Sequence, residues 1–186
     1  MTDQSALLAN ARDLVARKVD VLVASIDPAI LAADKVAGNV PIVMLNVSDP
    51  VELGLIASPA HPGGDITGMT RLSPELIGKN LQVLLEAVPH AIRVGLLVSA
   101  TYPMNRSILR DAHRATQTRG IALQVVELRR SAELEGAFAA LKRGRAEALL
   151  VADIGGSVLF TQRAQLASLA LAQRLPAIFA NSENVE

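Results

Sequence analysis

Small polar residues recur in this chain at one kind of place, directly after short apolar runs. Ser25 and Asp27 follow Val19–Ala24, and Asn46 and Asp49 follow Pro41–Leu45. Ser99 and Thr101 follow Arg93–Val98, Asp153 follows Ala148–Ala152, and Asn181 follows Pro176–Ala180. Taken singly, each is accounted for as a helix cap or a turn residue. Taken together they are hydroxyls, amides and carboxylates placed after successive strands. The carboxyl ends of parallel strands share one edge, which is where open α/β sheets hold their ligands. The chemistry open to such a set is hydrogen bonding. It contains no convincing nucleophile or proton-transfer pair, so it points to binding and not to an enzyme.

Other chemistries find no motif. The chain has no Gly-x-x-x-x-Gly-Lys-Ser/Thr loop for phosphate, no Gly-x-Gly-x-x-Gly after a strand and no Gly-x-Ser-x-Gly elbow. His61, His90 and His113 lie far apart, outside any metal-ligand spacing, and His90 and His113 are expected to face solvent. Cysteine is absent, which removes disulfides, thiolate nucleophiles and zinc–thiolate sites. No cofactor or metal is implied. Eighteen basic and eighteen acidic residues balance without a basic block, so nucleic acid is not an expected partner. No apolar run reaches the roughly 18 residues of a membrane span.

The elements that must position the polar tips follow from periodicity. Half of the 186 residues are hydrophobic, yet there are only three Phe, one Tyr and no Trp, so the core must be aliphatic, as in α/β folds. A helical stripe over Ser5–Arg17 precedes the strand Val19–Ala24. Asp27 suits a cap and Pro28 a first helical turn, for a helix ending at Gly38-Asn39. Pro41–Leu45 is the next strand, and the Pro62-Gly63-Gly64-Asp65 turn leads into another at Ile66–Met69. Ser73-Pro74 opens a helix to about Val88, with Leu76, Ile77, Leu81, Leu84, Leu85 and Val88 on its apolar face. Strands are then predicted at Arg93–Val98, Ile121–Leu128, Ala148–Ala152 and Pro176–Ala180. The helices between them run from Met104 to about Arg119, from a Ser131 cap to Gly144, and over Val158–Arg174. That β-α alternation predicts a doubly wound parallel sheet.

Two α/β lobes are therefore expected, residues 1–89 with a crossover helix and residues 90–186. Their carboxyl edges would enclose a cleft able to bury a small molecule. Both lobes read as incomplete, the first opening on a helix with nothing to cover its other flank and the second stopping at a strand tip.

The segments VDVLVAS, PIVMLNVSDPVELGLIAS, PGGDITG and LSPELIGKNLQVLLEAVP, followed by RVGLLVS, AEALLVAD and RLPAIFA, resemble ABC transporter substrate-binding proteins. The group has the type I periplasmic-binding fold and includes proteins assigned as tryptophan or tyrosine binders. The resemblance implies two Rossmann-like, flavodoxin-like lobes with parallel sheets, closing on a small organic solute such as an amino acid. It implies no catalytic residues, delivery to an ABC permease with its ATPase, and contact with the membrane only through that permease. By position it carries over Ser25, Asp27, Asp49, Thr101, Asn105, Asp153 and Asn181 as ligand-binding residues.

Members of that group begin with an export signal and a β-α-β unit that have no counterpart here, and a carboxyl-terminal part also has none. Resemblance places the protein in the periplasm or outside the cytoplasm, whereas MTDQSALLANARDLVARKVD does not read as a signal peptide and would leave the chain as written in the cytoplasm. An unpaired apolar strand edge would make the isolated monomer prone to aggregation. Two further functions share the fold class, a ligand-sensing lobe of a regulator and an α/β enzyme; the missing helix-turn-helix and phosphate loop count against them.

Overall fold

The computed structural model describes residues 4–71, 73–152 and 157–180, with the side chains of residues 73–75 outside the description. The chain divides into two units, residues 2–74 and 75–186.

In the first unit, α1 (Gln4–Ala16) leads to β1 (Leu22–Ser25), α2 (Asp27–Ala37), β2 (Ile42–Val47) and β3 (Ile66–Thr70), and the three strands form a parallel sheet in the order β1-β2-β3. Strand alternation sends Leu22, Ala24, Ile42, Met44 and Ile66 into one core with Ile30, Ala33 and Ala37 of α2. The alternate residues face outward: Val23 is 65% exposed and Met69 66%. β2 carries one more residue than β3 between two pairing points, since Met44 pairs with Gly68 and Val47 with Thr70. Such a bulge needs an unusual backbone, and Asn46 supplies it at φ 59°, a conformation asparagine tolerates better than most residues. Across from it, Gly68 has φ 145°, and a Cβ there would collide with the Met44 carbonyl. The ITG run is thus set by close backbone approach beside the bulge.

In the second unit, α3 (Ser73–Ala87, mostly within it) precedes β4 (Arg93–Ser99), α4 (Asn105–Gln117), β5 (Ala122–Leu128), α5 (Leu134–Arg143), β6 (Ala148–Val151), α6 (Val158–Thr161), α7 (Arg163–Ala172) and β7 (Ala177–Phe179). The sheet is parallel, in the order β5-β4-β6-β7. β4 is central and reads as a continuous apolar run because both its faces are covered, with Val94, Leu96, Leu97 and Val98 fully buried. Leu97, Leu149 and Val151 pack with Phe138 and Leu141 of α5, Leu159 of α6 and Leu166 of α7. At the amino end of the sheet, Glu147 accepts the N–H groups of Ile92 (2.7 Å) and Arg93 (3.1 Å) and pairs with the Arg93 guanidinium.

Three local expectations are corrected. Asp27 is not a cap; Ile26 takes the N-cap position at φ 68°, and Asp27 is the first helical residue. Ser131 opens a 3-10 turn, Ser131–Glu133, before α5, because Glu133 reaches back to the Arg129 and Arg130 N–H groups. The helix expected over Val158–Arg174 breaks at Gln162, whose φ of −105° and ψ of 18° leave the helical region between α6 and α7.

Candidate functional site

At the carboxyl edge of the first sheet, successive strand tips are tied to one another. Ser25 ends β1 opposite Leu45 and is exposed. Ile26 then turns into the left-handed region, which is strained for a β-branched residue, while its N–H donates to the Leu45 carbonyl at 3.1 Å. That turn delivers Asp27, wholly buried, to the tip of β2, where its Oδ1 accepts the Ser48 N–H at 2.8 Å. Ser48 is itself buried, and the Thr70 hydroxyl donates to the Val47 carbonyl at 3.0 Å. Asp49 is half-buried and closes the next turn, Oδ1 accepting the N–H groups of Val51 (3.0 Å) and Glu52 (2.9 Å). Arg71, one residue past β3, donates its N–H to the Val47 carbonyl at 2.8 Å.

The structure therefore gathers Ser25, Asp27 and Asp49 on one edge and separates their roles. Ser25 faces solvent, Asp27 braces one tip against the next, and Asp49 shapes the loop that follows. Ser48 and Arg71 join them although sequence reasoning passed over both. Ser48 sits inside the polar run Asn46–Asp49 and could have been found there. Arg71, the first basic residue after the ITGMT strand, was the available signal for the other.

In the second unit the strand order places a topological switch between β4 and β6: the chain leaves β4 for β5 on one side and returns to β6 on the other. A crevice opens outside the carboxyl ends at such a point. Ser99 and Thr101 stand at the tip of β4, their hydroxyl oxygens 3.3 Å apart, with Ser99 buried and Thr101 exposed. The Tyr102 N–H donates to the Ser99 carbonyl and the Asn105 N–H to the Tyr102 carbonyl, so a tight turn carries the chain into α4. The half-buried Asn105 enters α4 with its Oδ1 closed off from solvent and without a hydrogen-bond partner among the described residues. On the β6 side, the Ala152 N–H donates to the Leu97 carbonyl at 3.0 Å. Asp153 and Asn181 lie outside the described residues.

Electrostatic perturbation lies elsewhere. The Ile92 N–H, with the Arg93 N–H and guanidinium, holds the Glu147 carboxyl below its ordinary value, and the Arg129 N–H does the same first for Glu133. Among the described residues no group of His, Asp and Glu is arranged to hold a metal ion. A depression lined by Gln4, Ser5, Leu8, Ala32 and Lys35, and another by Lys142, Ala146 and residues 172–175, contain none of the strand-tip residues. No described helix is long and apolar enough to cross a membrane.

A family model described as ABC transporter substrate binding protein matches residues 1–186. A tyrosine-binding protein of Clostridioides difficile (strain R20291) is 32% identical over 102 residues, which are 55% of this chain and 29% of the relative. A crystal structure of a conserved domain protein from Vibrio cholerae superposes with a TM-score of 0.88 at 21% identity, covering 98% of this chain and 60% of the other. The ABC domain of Streptococcus pneumonia in complex with L-Trp superposes with a TM-score of 0.84 at 18% identity, with the same coverage. The chain thus spans 60% of the length of these two structures, and the fold is that of type I periplasmic-binding proteins.

Proposed function

Since the chain belongs to the ABC transporter substrate-binding protein family, we propose that it is the extracytoplasmic solute-binding component of an ABC importer. It takes up a small organic solute, an amino acid in the reading favoured here, and presents it to a cognate permease driven by its ATPase. One relative is named for tyrosine and a solved neighbour for its complex with L-Trp, both α-amino acids. The solute is bound and released unchanged.

The observation that carries this reading is the Asn105 side chain. A buried amide oxygen without a donor costs roughly 1–3 kcal/mol, and among the described residues Oδ1 of Asn105 has no donor beside the β4 tip. A solute N–H or O–H arriving at the β4–β6 switch point would satisfy it, with the exposed Thr101 hydroxyl within the same turn. In the first unit, Ser25 offers an exposed hydroxyl at the edge, Asp49 holds the loop after β2, and Asp27 acts through the Ser48 N–H it braces. Asp153 and Asn181 are proposed to contribute from the loops after β6 and β7.

The test is a thermal-shift screen of the protein against amino acids, followed by calorimetry on any that stabilise it. For such a solute, Asn105→Ala is expected to weaken binding by about tenfold, the worth of one hydrogen bond to a buried group. Unchanged affinity in that variant would remove Asn105 from the site; no stabilisation by any small solute would overturn the function.

A further inference from the structure

The amino edge of the second sheet, opposite that unit's strand tips, is basic, and the fold gathers the patch from three separate segments. Arg119 leads into β5, Arg143 and Arg145 into β6 and Arg174 into β7, while Arg114 and Lys142 stand on the last turns of α4 and α5. All six are exposed, and none takes part in an ion pair found among the described residues. Of the two acids at this edge, Glu147 is already paired with Arg93, and Glu86 stands near the end of α3. Cations at helix ends have an ordinary role, since each carboxyl end carries roughly half a negative charge. Four helices, α3, α4, α5 and α7, end here, which amounts to about two charges. Set against these and Glu86, the six cations leave an excess of about three. Two aliphatic side chains lie bare beside them: Ile92, just before β4, is 57% exposed, and Leu171, on the last turn of α7, 80%. Next to Leu171 is an open depression of about 270 Å³, lined by Lys142, Ala146 and residues 172–175, which brings Lys142 and Arg174 to one hollow.

We propose that this edge rests on an anionic phospholipid surface, its cations against the headgroup phosphates and Leu171 and Ile92 in the interface. Cations interspersed with bare aliphatic side chains are the composition of a membrane-surface contact. A tight protein partner would be held by aromatic anchors in shaped pockets, and the segments 86–93, 114–122, 142–149 and 171–177 contain no Phe, Tyr or Trp. The carboxyl tips of the same sheet lie at its other end, so the contact leaves them clear. It stands independently of the solute proposed above.

Vesicle flotation of the full chain tests it, with vesicles of phosphatidylcholine alone or with about a third phosphatidylglycerol to supply negative charge. Binding to the mixed vesicles alone is expected, and it should vanish near 1 M salt, where the screening length is about 3 Å. Each cation is worth about fivefold at such a surface, so Lys142→Gln/Arg143→Gln/Arg174→Gln is expected to weaken binding by about a hundredfold. Leu171→Ser should weaken it by about tenfold. Arg12→Gln/Arg17→Gln/Lys35→Gln removes the same charge from the first unit and should leave binding within about threefold of wild type. Circular dichroism checks that each variant is folded, and the lipid and salt comparison on wild type decides alone if one is not. Equal binding to both kinds of vesicle, persistence in high salt, equal losses in the two triple variants or unchanged binding by Leu171→Ser would each overturn the assignment. So would protein that ignores the mixed vesicles, whether it retains polyglutamate, a DNA duplex or neither.

Discussion

Asp27 ties one strand tip to the next from a buried position. It is wholly buried, and the Ser48 N–H it accepts belongs to the neighbouring strand tip, 21 residues away. Removing the carboxyl leaves a buried N–H without an acceptor, a loss of roughly 1–3 kcal/mol. Asp27→Ala is therefore expected to lower the unfolding free energy by that amount, moving the urea midpoint down in proportion, and Asp27→Asn, which keeps an acceptor oxygen, by less. Equal midpoints for wild type and Asp27→Ala would refute the brace. This partnership was not legible in the sequence, where Asp27 before Pro28 had the look of a helix cap. The competing fact is distant: Ile26 turns left-handed and hands Asp27 to β2, and no local pattern announces that a β-branched residue will do so. Arg71 was overlooked for a related reason, because the carbonyl that fixes its N–H belongs to Val47, on the neighbouring strand. Thr101 and Asn105, by contrast, follow a strand whose apolar run marks its own end.

Among the elements, the strands were the most legible. β6 and the middle of β4 are apolar because they are buried on both faces, and Ile77, Leu81 and Leu84 mark the inner face of α3 at helical spacing. The bulge in β2 and the break at Gln162 escaped, since each answers to packing against other elements. The clamp at the amino edge of the second sheet belongs to this scale, because Glu147 joins the starts of β4 and β6. Its carboxyl is held below its ordinary value in the fold by the Ile92 N–H first and Arg93 after it. As pH falls, the unfolded chain takes up that proton first. The stabilisation is therefore complete above about pH 4.5 and is lost as pH drops through the lower, folded value. Glu147→Gln is expected to flatten the acid side of a plot of unfolding midpoint against pH between 5 and 3 and to leave its neutral side parallel to wild type. An unchanged acid slope would show that the clamp contributes nothing to acid sensitivity.

At the scale of the whole molecule, two parallel sheets each end in a row of polar tips. The described residues supply hydrogen-bonding groups there, where solute-binding proteins of this fold class need them. Most of those groups are already occupied by the backbone: Asp27 by Ser48, and Asp49 by Val51 and Glu52. Among the described residues, Oδ1 of Asn105 in the second unit is closed off from solvent without a hydrogen-bond partner, and so is Nε of Arg71 in the first. A solute that binds only the folded protein must raise its stability by mass action, by about 2.7 kcal/mol at a concentration a hundred times Kd. The most direct measurement is the unfolding free energy of residues 1–186 titrated with L-tyrosine, L-leucine and benzoate. Stability rising with the logarithm of concentration for at least one of them is the predicted result. Stability indifferent to all three, in protein that unfolds cooperatively, would contradict the claim that this chain binds an amino acid or a similar small organic solute.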